Sequence, residues 1–212
     1  MSQMGCEMVI MITGGSGSGK SAYAEDYIVK MHEDKTKILE DKIKMLEDRR
    51  DNEEERQYVG DSDLYYVATM KVYDSEGKER VVKHRKQREG KGFTTIEQSI
   101  NLSECVKYMA EKKDDNYALI ECMSNLVANE MFTSTGAKNE EEVSAKVMDD
   151  FYKLQKKVGI IVVVTNNIFE DGCEYNEETK AYIRSLGKIN KELAKISDKV
   201  IEVVAGIPIQ IK

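Results

Sequence analysis

Gly14-Gly-Ser-Gly-Ser-Gly-Lys20-Ser21 constrains the fold more than any other stretch of this chain. It fits GxxxxGK[ST] and lies between a continuous apolar run, Met8-Val-Ile-Met-Ile-Thr13, and a segment offering Ala22, Ala24, Tyr27 and Ile28 for helix packing. Glycines permit a tight turn whose successive backbone N–H groups point inward at phosphate oxygens. The helix N-terminus that follows adds its positive dipole end. Lys20 is expected to reach the β- and γ-phosphates, and the Ser21 hydroxyl to ligate Mg²⁺. Gly14, Gly15, Ser16, Gly17, Ser18, Gly19, Lys20 and Ser21 therefore form the expected phosphate-binding set.

Further apolar runs repeat the strand pattern. Leu64–Thr69, Tyr117–Cys122 and Val158–Thr165 read as buried strands, with helical patterns at Ser144–Gln155 and Glu177–Ser197. Val200–Ala205 and Ile207–Ile211, parted by Gly206, are joined too tightly for a helical crossover and predict an antiparallel terminal pair. Strands alternating with helices indicate an α/β fold of the P-loop NTPase type: a mostly parallel sheet flanked by helices, closed by that pair. The length of 212 residues suits a single domain spanning 1–212.

One segment breaks the rhythm. From Lys30 to Arg56 the chain is dominated by Lys, Arg, Asp and Glu without Gly or Pro, marking a charged helical insertion at about 30–61. Ile38-Leu-Glu-Asp-Lys42 recurs as Met45-Leu-Glu-Asp-Arg49, and Leu39, Ile43 and Leu46 share one helical face. Both a solvated projecting helix and a short coiled-coil contact with a neighbouring subunit fit this stripe.

Charge and cysteine spacing narrow the function classes. Lys plus Arg total 32 against 39 Asp plus Glu, a net charge of −7, which argues against nucleic acid or an anionic membrane as the main partner. No apolar run approaches the roughly 20 residues of a membrane span. Met1 to Glu7 lack the features of a signal peptide, so a cytoplasmic protein is expected. Cys6, Cys105, Cys122 and Cys173 are too scattered for a disulfide framework or a zinc cluster.

Two further positions carry chemistry. Glu121 ends an apolar strand, where a carboxylate is costly unless a cation or hydrogen-bond donors answer it; beside a phosphate loop it is a candidate Mg²⁺ ligand with Ser21. His84 lies among Arg80, Lys83, Arg85, Lys86 and Arg88. Neighbouring cations disfavour imidazolium, favouring a neutral and nucleophilic ring, and would also attract a polyphosphate. Taken alone, a histidine in a basic exposed helix is more often a solvated surface residue.

The order of these motifs resembles the adenosylcobinamide kinase/adenosylcobinamide-phosphate guanylyltransferase family. Ala68-Thr69, Asp74, Glu76, Arg80 and His84-Arg85 follow the N-terminal loop. Thr95, Glu97, Glu121-Cys-Met-Ser124, Asn129, Thr165-Asn166, Gly187, Asn190 and the ending Val203–Lys212 continue the match. Only about Lys30 to Asp61 falls outside it. The resemblance implies a bifunctional transferase of adenosylcobalamin synthesis with ATP and GTP as substrates. Adenosylcobinamide would be phosphorylated, then GMP passed from GTP through a guanylyl-histidine to adenosylcobinamide phosphate. By position His84 would be guanylylated, with Thr69, Arg85, Glu97 and Glu121 around the nucleotide, and the assembly would be a homotrimer. The chain departs from the pattern at Glu89, Phe93, Asn167, Phe169, Glu170–Tyr175 and Tyr182–Arg184. A single-activity kinase or nucleotidyltransferase, or a nucleotide-dependent interaction protein, therefore stays open on the sequence.

Overall fold

The computed structural model describes residues 8–47, 63–71, 75–111, 115–134, 136–168 and 174–212. Cys6, Cys173 and Phe169 to Asp171, together with the part of the charged segment beyond Glu47, lie outside the described residues.

Seven strands form the sheet, in the order β3 (Thr94–Glu97), β2 (Asp63–Ala68), β4 (Asn116–Glu121), β7 (Ile160–Val164), β1 (Met8–Thr13), β8 (Lys199–Val204), β9 (Ile207–Gln210). All neighbours pair in parallel except β8 and β9, which are antiparallel with Val204 opposite Ile207. The fold is thus the expected α/β arrangement with its terminal pair. Central strands read as unbroken apolar runs because both faces are covered. On β1 and β4, Ile10, Ile12, Tyr117 and Leu119 face a layer containing Ala24 and Ile28 of α1 (Lys20–Glu47). Val9, Met11, Ala118 and Ile120 face the opposite layer. That second layer is built from α3 (Met123–Met131), α4 (Glu140–Gln155), α5 (Glu177–Ile196) and a 3₁₀ segment, Leu102–Tyr108.

Helix starts follow local chemistry. Asn139 accepts from the Glu141 amide at 2.8 Å and Asn176 from the Thr179 amide at 2.8 Å, satisfying donors that a first turn leaves open. The Ala205-Gly206 turn between β8 and β9 has φ of 49° and 82°, the two-residue hairpin form with both central residues left-handed.

α1 continues without a break through Lys30 to Glu47, so the charged stretch begins as an extension of the helix that follows the glycine-rich loop. Ile38, in its outer part, is 56% exposed in the single chain. The side chains of Ile43 and Leu46 lie outside the described residues. A small hairpin, β5 (Phe132–Thr133) with β6 (Gly136–Ala137), sits apart from the main sheet. The helix α2 (Ser75–Arg88) carries His84. No helix among the described residues is long and apolar enough to cross a membrane.

Candidate active site

The glycine-rich loop leaves the C-terminal end of β1 and enters α1, so its amides gather at the edge where parallel strands end. Gly14 must be glycine on steric grounds: a Cβ there would sit 2.5 Å from the Val203 carbonyl oxygen and 2.7 Å from Ser18 Oγ. Two neighbours hold the loop. The Asn167 amide donates to the Gly14 carbonyl at 3.1 Å, and the Gly206 amide donates to the Ser18 carbonyl at 2.8 Å. Gly15, Ser16, Gly17 and Gly19 are exposed along the loop, with Gly17 and Gly19 at φ of 70° and 88°. Lys20 is buried, its ammonium folded back to donate to the Gly15 carbonyl at 3.1 Å.

Glu121 meets this loop across the sheet. Its Oε1 accepts from Ser21 Oγ at 2.6 Å, whereas its Oε2 is shut off from water and accepts no hydrogen bond among the described residues. Burial pushes the Glu121 carboxyl up to about 7; the Ser21 hydroxyl and the Lys20 charge oppose that rise, Glu25 adds to it and Arg88 opposes it. An orphaned carboxylate oxygen beside a hydroxyl, next to a phosphate loop, is a hard-oxygen donor set that fits Mg²⁺. No cluster of three His, Cys, Asp or Glu gathers for a metal among the described residues. One carboxylate supplemented by substrate phosphates is the usual Mg²⁺ pattern, so the two observations agree.

Glu121 also lines a cleft shared with Tyr66, Val81, His84, Arg85, Arg88, Glu97 and Asn125. This cleft joins the loop's acidic corner to α2. His84 is half-buried in its wall. Arg85 and Glu97 form an ion pair at the exposed rim. The Arg88 guanidinium stacks over the Tyr66 ring, 3.6 Å from its centroid, and burial beside Glu121 keeps the Tyr66 phenol protonated far above neutrality. Of the anticipated residues, His84, Arg85, Glu97 and Glu121 share the cleft, and Ser21 touches it through Glu121.

Thr69 is placed differently. It is fully buried at the end of β2, its hydroxyl within reach of the Glu121 and Cys122 carbonyls at 2.9 and 2.8 Å. Its amide donates to the Glu121 carbonyl at 2.9 Å, and its own carbonyl accepts from Asn129 Nδ2 at 2.8 Å. These bonds fix the strand end from which the Glu121 side chain leaves. Thr165 and Asn166 are likewise tied to their neighbours. Thr165 Oγ1 donates to Asn190 Oδ1 at 2.7 Å, and Asn166 Nδ2 donates to Ser124 Oγ at 2.7 Å.

Arg88, anticipated only as one of the cations around His84, belongs to the cleft, as do Tyr66 and Asn125, which were not anticipated from the sequence. Helical spacing carried a signal for Arg88, since Val81, His84 and Arg88 fall at i, i+3 and i+7 on one face. Tyr66 read only as part of an apolar strand, and nothing local distinguished Asn125.

Comparison with known proteins now bears on this geometry. The sequence model of the family "Cobinamide kinase / cobinamide phosphate guanyltransferase" matches residues 53–211. The bifunctional adenosylcobalamin biosynthesis protein CobU of Escherichia coli (strain K12) is 26% identical over 214 residues, covering 97% of this chain and 100% of that protein. The protein of the same name from Salmonella typhimurium (strain LT2) is 25% identical over 219 residues, covering 97% and 100%. Among solved structures, the flagellar accessory protein FlaH from Methanocaldococcus jannaschii aligns with a TM-score of 0.43 at 14% identity, covering 98% of this chain and 79% of that one. With three quarters of its length inside the family match, this chain belongs to the cobinamide kinase/cobinamide phosphate guanyltransferase family.

Proposed function

We propose that this chain phosphorylates adenosylcobinamide with ATP or GTP and then transfers GMP from GTP to adenosylcobinamide phosphate through a guanylyl group on His84. The observation that carries this reading is the shared cleft: His84 and Glu121 line one wall system, and Glu121 is hydrogen-bonded to Ser21 of the phosphate loop.

In the first reaction the loop amides and Lys20 grip the polyphosphate and hold the terminal phosphoryl group in line with the substrate hydroxyl. Ser21 and Glu121 would hold Mg²⁺, which when bound offsets phosphate charge. In the second reaction the imidazole nitrogen bearing the lone pair attacks the α-phosphorus of GTP. An N–P bond forms as the P–O bond to the departing pyrophosphate breaks. A phosphate oxygen of the acceptor then displaces the imidazole, forming the P–O–P link and restoring His84. Arg85 and Arg88 flank the ring's cleft and supply positive charge where the transition state gains negative charge.

Incubation with [α-³²P]GTP tests this directly. The wild-type chain should acquire acid-labile, base-stable label and His84→Ala should acquire none. Equal labelling of both would remove His84 from the role.

A further inference from the structure

The described side chains of the helix that carries His84 are mostly exposed or half-buried. Among its described side chains only Arg88, in the last turn, is buried. Val82, Arg85 and Lys86 are exposed, and Val81 and His84 are half-buried. The buried end of the helix is the last turn, so what fixes that end bears on where His84 is held.

Resting on the functional reading above, we propose that Lys91 is a positioning residue for the His84 step, tying the His84 helix to the helix that begins at the phosphate loop. The chain closes α2 with two backbone bonds, Glu89 amide to Lys86 carbonyl at 3.3 Å and Lys91 amide to Arg88 carbonyl at 3.0 Å. Gly90 and Gly92 flank Lys91 at φ of 80° and 77°, the left-handed region that a side chain disfavours. This pair of reversals sends Lys91 back toward α1. There its ammonium donates to Glu25 Oε2 at 3.0 Å and to Asp26 Oδ1 at 2.7 Å.

Glu25 makes this more than a surface contact. Its side chain is 3% exposed, against 26% for Lys91 and 72% for Asp26. Exposed ion pairs contribute little, but removing one partner of a buried pair leaves a charge uncompensated. Glu25 lies one helical turn beyond Ser21, on the same face of α1. A short mechanical path thus runs from the phosphate loop through Glu25 and Lys91 to Arg88 and His84. Lys91 itself does not line the cleft, so its influence on His84 passes through the helix end.

The two reactions separate this role from general stabilisation. Phosphoryl transfer draws on Lys20, Ser21 and Glu121, whose hydrogen bonds run to the loop and to one another rather than to α2; guanylylation needs His84 in line with the α-phosphorus. On the full-length protein, Lys91→Met keeps the aliphatic stem and removes the charge. Its single-turnover rate of [α-³²P]GMP labelling at saturating GTP should fall about 10- to 100-fold, while kinase turnover stays within about twofold of wild type. Lys91→Arg should recover most of the labelling rate. Should Lys91→Met fail to fold, Asp26→Asn at the exposed arm serves, with a smaller loss confined to labelling. Labelling at the wild-type rate, or equal losses in both reactions, would overturn the positioning role. Absence of labelling in the wild-type chain would instead overturn the functional reading on which it rests.

Discussion

Glu121 holds two roles that pull against each other. Burial at a strand end raises the free energy of its ionised form, while the proposed metal needs that form. Among the described residues only one of its oxygens has a donor, the Ser21 hydroxyl. Its carboxyl stands at about 7 in the folded chain against an ordinary 4.5. Between those values the folded state binds more protons than the unfolded state, so stability from this group is full below about 4.5 and is lost as pH rises through about 7. Denaturant melts in EDTA should therefore show wild type losing stability relative to Glu121→Gln between pH 4 and pH 8, by about 3 kcal/mol at most. Parallel pH profiles for the two proteins would show that Glu121 is solvated and ionised throughout.

The phosphate loop is positioned by elements distant in sequence. The β8–β9 turn reaches over to it: the Gly206 amide binds the Ser18 carbonyl, and Val203 closes the space behind Gly14. Ala205 holds the first left-handed position of that turn and is exposed, so nothing but backbone conformation governs the residue there. Asn tolerates that region better than Ala and gives the preferred Asn-Gly hairpin pair. Ala205→Asn should stabilise by about 0.5–1 kcal/mol, a rise of about 1–2 °C in Tm by differential scanning calorimetry. A lower Tm would mean that Asn disturbs the loop contact. This support was not legible in the sequence, because it joins Ser18 to Gly206 across the whole chain. The long central strands were legible, since burial on both faces leaves continuous apolar runs, and so was the loop, whose spacing is fixed by phosphate geometry. β3 was not: only Ile96 among Thr94–Glu97 is buried, leaving no pattern to read. Thr69 was read as a residue around the nucleotide from its place in a motif. Its hydroxyl is turned to two backbone carbonyls, and sequence spacing carries no information about side-chain direction of that kind.

At the scale of the molecule, the sheet gathers two chemistries at one edge. β1 delivers the phosphate loop, β4 delivers Glu121, and α2, following β2, delivers His84. Glu121 belongs to both the loop's corner and the His84 cleft, so the two proposed reactions would share this residue. Lys20 and His84 are the groups at which they would fail separately. On the proposed reading Lys20, buried beside the loop, would grip the polyphosphate, so Lys20→Ala would remove charge that phosphoryl transfer relies on. On the same reading His84 would contribute a nucleophile that only nucleotidyl transfer uses. With adenosylcobinamide, ATP and GTP supplied together, mass spectrometry of the products should find the GDP-linked corrinoid with wild type. His84→Ala should stop at adenosylcobinamide phosphate, and Lys20→Ala should leave adenosylcobinamide unmodified, its product formation down by at least about 100-fold. GDP-linked product from His84→Ala would mean that GTP is attacked directly by the acceptor, and the covalent route would be withdrawn while the kinase assignment stood. Wild type halting at the phosphate would have the complementary meaning: the substitutions at Glu89 and Asn167 would mark a chain that retains phosphoryl transfer alone.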